Sequence, residues 1–105
     1  MSTTKDYKDF ILDQLSEIKD ITCKPMMSEY LLYQNGILFG GIYDNRLLIK
    51  VTPENQKYHM PQEIPYQNAK PMYLVEDLDD QEKLKEVIIT TAKSLKKERK
   101  VQSLK

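Results

Sequence analysis

The stretch from Tyr30 to Val51 constrains this chain more than any other. Three apolar and aromatic runs, Tyr30–Tyr33, Ile37–Tyr43 and Arg46–Val51, are separated by the dipeptides Asn35-Gly36 and Asp44-Asn45. A type I′ turn needs positive φ at both central residues, which Gly adopts freely and Asn and Asp tolerate. Connections this short leave no room for a crossover helix, so the strands they join must be antiparallel neighbours. The pattern therefore predicts a three-stranded β-meander, ended by Thr52-Pro53.

Two-residue turns also set a register. Tyr33 is expected opposite Leu38, Leu31 opposite Gly40, Ile42 opposite Leu47, and Gly40 beside Ile49. Strict alternation then places Leu31, Tyr33, Leu38, Ile42, Leu47, Ile49 and Val51 on one face, to be covered by helices, with Gly40 letting a helix approach closely. The other face carries Tyr30, Leu32, Phe39, Gly41, Tyr43, Arg46, Leu48 and Lys50. A solvated sheet face should be mostly polar. This one has an apolar centre of Leu32, Phe39 and Leu48, rimmed by Tyr43, Arg46 and Lys50. Such a composition marks either a surface covered by the chain's own loop at 53–71 or an interface. Tyr30, Leu32, Phe39, Tyr43, Arg46, Leu48 and Lys50 are accordingly the candidate interaction surface.

Helical spacing flanks the meander on both sides. Over residues 4–18, Tyr7, Phe10, Ile11, Gln14, Leu15 and Ile18 share a face, and Thr3 or Thr4 can cap the start. Towards the other end, Leu84, Val87, Ile88, Thr91, Ala92 and Leu95 form a second stripe. Asp79 is the expected cap there, with Glu82 reaching back. Acid residues cluster at this helix's start and basic ones at its end, as the helix dipole favours. Past Leu95 the stripe fades, so the basic tail at 96–105 is expected to fray. Residues 22–27 form a short strand or a lead-in segment, since Pro25 restricts them to an edge. A short helix over 53–60 is expected to be capped by Thr52, followed by a proline-rich loop to Pro71. Met72 to Val75 is a fourth strand extending an edge of the sheet. The fold class is α+β: a two-layer sandwich of an antiparallel meander plus one strand, packed by N- and C-terminal helices. A single domain over 1–105, with its core at about 4–95, accounts for a chain of 105 residues.

Composition removes several functions. Sixteen basic and sixteen acidic side chains cancel. Nucleic-acid binders usually carry a basic excess, so nucleic acid is unexpected as a direct partner. One cysteine, Cys23, excludes an internal disulfide. The longest uncharged run, Tyr30–Tyr43, is too short and polar to span a membrane, and the N-terminus has no apolar signal core, so a cytoplasmic location is expected. A thiol–imidazole pair of Cys23 with the one histidine, His59, is conceivable in principle, but no hydrolase signature surrounds Cys23. One Cys and one His are too few for zinc. Glu76, Asp77, Asp79, Asp80 and Glu82 lack the spacing of a calcium loop and suit helix capping. No catalytic, metal or cofactor residue is expected. The tail from Lys93 to Lys105 holds six basic side chains against Glu98, which fits either a solvated helix end or an acidic or nucleic-acid partner.

The residues of the meander also carry a resemblance. Lys24-Pro25-Met26-Met27-Ser28-Glu29-Tyr30-Leu31-Leu32-Tyr33, Asn35-Gly36 and Phe39-Gly40-Gly41-Ile42-Tyr43-Asp44-Asn45-Arg46-Leu47-Leu48-Ile49-Lys50 resemble the N-terminal domain of the TfoX/Sxy competence-regulator family. Lys70-Pro71-Met72-Tyr73-Leu74-Val75 and the acidic start of the last helix extend the match over about residues 7–95. The family's usual Met-Phe-Gly-Gly run reads Met26-Met27-Ser28-Glu29 here. The resemblance implies a helix–meander–helix domain of the secretion-chaperone-like type. It implies a link to competence or transcription regulation, which in the named regulators is thought to work with the cyclic-AMP receptor protein. Those regulators carry a second, C-terminal domain, for which this length leaves no room. The family offers no catalytic residues to carry over. Two functions follow as expectations. One is a non-enzymatic interaction module that binds a protein partner or forms a homodimer through the outer meander face. The other is a nucleic-acid-associated regulator using the basic tail.

Overall fold

A computed structural model of the protein describes residues 3–103, with side chains described through Glu98. Helix α1 (Lys5–Gln14) leads into strands β1 (Ile21–Met26), β2 (Glu29–Gln34), β3 (Ile37–Ile42) and β4 (Leu47–Ile49). A single 3-10 turn (Gln56–Tyr58), β5 (Gln62–Glu63), β6 (Met72–Leu74) and the long α2 (Gln81–Ser103) follow. The strands form one antiparallel sheet in the order β1-β2-β3-β4-β6-β5. Ile11, Leu15 and Ile18 from α1 and the loop after it, with Leu84, Val87 and Ile88 from α2, pack onto one side of it, as the expected α+β sandwich requires.

Both expected meander turns form. Asn35 and Gly36 have φ of 50° and 78°, and Asp44 and Asn45 have 51° and 56°. A third two-residue turn, Met27-Ser28, joins β1 to β2 at φ of 48° and 71°, so residues 21–26 are a full edge strand. Neither Met nor Ser favours the left-handed region, and each costs on the order of 1 kcal/mol there. Glu29 offsets that cost. Its carboxylate accepts from the backbone N–H groups of Thr3 at 2.8 Å and Asp44 at 2.9 Å, tying the chain's start to two turns at once. Thr3 also donates from its backbone to the Ser28 carbonyl at 3.2 Å, and Thr4 is the cap of α1.

The register differs from strict alternation at one place. Tyr33 pairs with Leu38 as expected, but Leu32 pairs with Gly40 and Leu31 with Gly41. Phe39 is therefore the extra residue of a β-bulge. One added residue reverses which way the neighbouring side chains point. Leu32, Phe39 and the flank of Tyr30 turn to the helices, while Leu31 and Leu38 turn to the other side, and Tyr33 follows Leu31 by alternation. Beyond the bulge the expectation holds for Ile42, Leu47 and Ile49, which lie under the helices, but not for Val51, which falls past the end of β4 and is exposed on the groove instead of covered by a helix. Gly40 serves the bulge and not a helix. A Cβ there would collide with the Leu48 carbonyl and lie 2.8 Å from Ile49 Cα, so β4's backbone excludes a side chain.

Other elements also depart from the sequence pattern. Helix α1 stops at Gln14, and Phe10 is 40% exposed, outside the buried stripe. The loop before Pro71 contributes β5, which makes β6 an interior strand. Asp80, not Asp79, caps α2, its carboxylate accepting from Lys83 N–H at 3.1 Å. The expected short helix after Pro53 is only the 3-10 turn, and its cap position is Asn55 and not Thr52, although Thr52 Oγ does accept from the Asn55 N–H at 3.2 Å in the turn before it. Buried Asn55 then donates to the Lys50 carbonyl at 2.8 Å and to Thr91 Oγ at 2.9 Å, fastening this corner to α2. The backbone of α2 stays helical through Ser103, beyond its apolar stripe. The rest of the expected frayed tail, Leu104 and Lys105, lies outside the described residues.

Candidate functional site

The sheet's second side, away from the helices, is covered over only half its width. Arg46 anchors the cover. Its guanidinium donates to Glu63 Oε1 at 2.7 Å and to the carbonyls of Ile64 at 3.3 Å and Pro65 at 3.4 Å, while its Nε reaches the Tyr43 carbonyl at 3.2 Å. This clamp, anchored at Glu63 of β5, draws residues 64–66 over the sheet. Tyr66 meets Tyr43 with ring centroids 6.2 Å apart. Beneath, Leu48 is fully buried and Tyr43 nearly so. Burial, with the Tyr66 ring and Glu29 nearby, holds the Tyr43 hydroxyl's pKa above its ordinary value.

Beside the clamp the sheet stays open. An apolar groove of about 630 Å³ runs between the sheet and the segment 65–72. Leu31, Leu38, Val51 and Met72 line its floor and walls, with Met26 and Tyr66 at its margins. Lys50 and Lys70 are the charged residues that line it, and no Asp or Glu does. Lys24 stands on the same side of β1, opposite Leu31, with its ammonium 5.2 Å from the Tyr33 ring. None of these three lysines has an ion pair among the described residues.

The seven candidate residues thus divide. Leu32 and Phe39 are fully buried core, and Tyr30 is half-buried on the helix side with Lys8 5.6 Å from its ring. The bulge moved them. Tyr43, Leu48 and Arg46 belong to the covered half of the outer side, and Lys50 lines the groove. The sequence pattern assigned Leu31, Leu38 and Val51 to the helix face, whereas they line the groove, and it did not single out Tyr66 or Met72 for this surface. One signal was available. Two glycines inside a strand, Gly40-Gly41, mark a bulge as readily as a helix contact.

Cys23 and His59 do not meet. Cys23 sits on edge strand β1, packed against the helix-side core, whereas His59 lines a small cleft with Leu74 of β6. Four strand spacings, about 19 Å in all, separate those strands. Burial also raises the Cys23 thiol's pKa, with Lys8 offsetting part of the effect, so the group stays protonated at neutral pH. Asp80 serves as a cap, and Asp77 lies 3.7 Å from Lys83. Among the described residues no cluster of three or more His, Cys, Asp or Glu could hold a metal, and no helix is long and apolar enough to cross a membrane. Of the basic tail, Lys97 pairs with Glu54 at 3.1 Å, Lys93 and Lys96 are exposed beside the Asn35 turn, and the side chains of Arg99, Lys100 and Lys105 lie outside the described residues.

These features define a class: a small α+β domain whose antiparallel sheet is closed by two helices on one side and left half open on the other. Comparison with known proteins specifies it further. The chain belongs to the TfoX N-terminal domain family, whose model matches residues 13–94, and that family is linked to competence regulation. It is also 29% identical over 98 residues to an uncharacterized 12.7 kDa protein in the trpE 5′ region of Spirochaeta aurantia, an alignment covering 90% of this chain and 85% of that one.

Proposed function

We propose that this domain is a non-enzymatic interaction module, a regulator related to competence or transcription control that binds a protein partner or a second copy through the outer side of its sheet. The groove carries the reading. Leu31, Leu38, Val51 and Met72 expose apolar surface that the clamped segment leaves uncovered. Concave apolar surface edged by a few polar groups is where proteins commonly bind their ligands and partners. Membership of a family linked to competence regulation supports the regulatory half. The test is Leu38→Glu, which puts a charge in the groove without entering the core. Sedimentation and affinity capture from native cytoplasm are compared for the two proteins. Loss of self-association or of a captured protein in the variant supports the reading. A monomer with the same captured set in both forms overturns it.

A second reading, a nucleic-acid contact through the basic tail, is favoured by exposed Lys93 and Lys96, which have no ion pair among the described residues. Nucleic-acid binding that ignores salt, or that survives deletion of residues 96–105, excludes it.

A further inference from the structure

The groove's chemistry narrows what can occupy it, granted the reading above that this side is the interaction surface. Its floor offers side-chain apolar surface from Leu31, Leu38, Val51 and Met72. The charged side chains that line it are of one sign, and the carboxylate of Glu29, near Tyr43, is taken up by the backbone N–H groups of Thr3 and Asp44. Lys50 and Lys70 line it, Lys24 stands alongside, and none is neutralised among the described residues. Arg46, the other cation on this side, is engaged by Glu63 at 2.7 Å and adds little to the free positive charge. This local excess sits in a chain whose formal charge sums to zero. An occupant with basic flanks would meet like charge at the rim, and a wholly neutral one would leave the ammonium groups uncompensated.

Shape separates a chain segment from a small anion. Pockets for small molecules enclose most of the ligand and present several convergent polar groups. This trough is open along one side, and its lining is mainly apolar side chains. Met26 and Met72 supply unbranched, polarizable surface able to adjust to differing side chains.

We propose that the groove binds an acidic, amphipathic segment of a partner protein, with apolar side chains seated on Leu31, Leu38 and Met72 and carboxylates paired to Lys24, Lys50 and Lys70. The apolar anchors supply affinity, and the lysines select sign and speed encounter.

Three short fluorescent peptides test this on the full chain: Leu anchors with Glu flanks, the same anchors with Lys flanks, and Ala in place of Leu with Glu flanks. The first should bind, the other two about tenfold more weakly or worse. Raising ionic strength from about 0.05 M to about 0.5 M should weaken the first peptide by a similar factor. Lys50→Glu with Lys70→Glu should reverse the preference, so that the Lys-flanked peptide becomes the better ligand. Lys70→Glu alone, at an exposed position, should produce part of that reversal without disturbing the fold, which circular dichroism verifies. Several results would overturn the inference while leaving the outer-side reading intact. They are equal binding of acidic and basic peptides, or self-association abolished by Leu38→Glu with no peptide bound. Binding of a medium-chain carboxylate but of no peptide would also overturn it, since a small apolar anion is then the occupant. No peptide binding and no self-association or capture sensitive to Leu38→Glu would overturn both.

Discussion

The two sides of this sheet are built from the same strands and the same residue types, yet they are closed by different means. On the helix side, Leu32, Phe39, Ile42, Leu47 and Ile49 meet side chains from α1 and α2, and the seal is continuous hydrophobic packing. On the outer side the cover is a strap of irregular chain, held by one guanidinium and one pair of tyrosine rings. Packing against a helix buries area along its whole length. A strap buries only what lies beneath its anchor. That difference leaves Leu48 sealed and Leu38, on the neighbouring strand and the same side, accessible.

The comparison breaks most easily at Leu48. Leu48→Glu would put a carboxylate into a fully buried apolar position and should lower the denaturant midpoint sharply, while Leu38→Glu should unfold at nearly the wild-type midpoint. Equal midpoints for the two variants would mean that the strap seals nothing. Phe39→Ala comes next. Removing a fully buried ring should cost about 3–5 kcal/mol in urea unfolding, against under about 1 kcal/mol for Leu38→Ala. Had β2 and β3 followed strict alternation, the ranking would be inverted, so this pair tests the bulge directly. Arg46→Ala should cost about 1–2 kcal/mol, and it should also increase fluorescence quenching of tyrosine by a soluble quencher as Tyr43 is uncovered. Stability lost without extra quenching would place the strap's hold elsewhere.

The smallest effect is a pH dependence. A phenol whose pKa is raised by burial keeps its proton in the folded state after the unfolded chain has lost it. Its contribution is intact below about pH 10 and is lost as pH rises from there through the folded-state pKa. Stability should therefore fall in that alkaline window, and Tyr43→Phe should flatten the fall. Tyr7, raised by burial as well, leaves a residual slope. An unchanged slope in Tyr43→Phe would show that the strapped half is wet.

Much of this architecture was legible from local chemistry. Asn35-Gly36 and Asp44-Asn45 announced their turns because their side chains and backbones suit positive φ. The α2 stripe announced itself through its period. What stayed hidden depends on contacts between distant residues. Met27-Ser28 is a turn because Glu29, Thr3 and Asp44 hold it, not because of its own propensity. Strand β5, two residues long, exists through its pairing with β6. The candidate residues are split between the two sides of the sheet by the bulge. From Gly40 to Lys50 the alternation count was sound, so Tyr43, Leu48 and Lys50 fell on the outer side, while Val51, past the end of β4, left the expected helix face for the groove. Before Gly40 the count was off by one, so Tyr30, Leu32 and Phe39 changed places with Leu31 and Leu38. A local pattern reports that a strand has two sides; the parity along it depends on the partner strand.

That parity has a consequence for comparing relatives. Where two chains differ by a single residue near Phe39, a gap set on the wrong side of it would equate core positions of one protein with groove positions of the other. The mismatch would still look conservative, because Leu, Ile, Tyr and Phe occur on both sides of this sheet. Substitution patterns in such families are best scored after the strand pairing has been assigned, separately for the residues on either flank of the bulge.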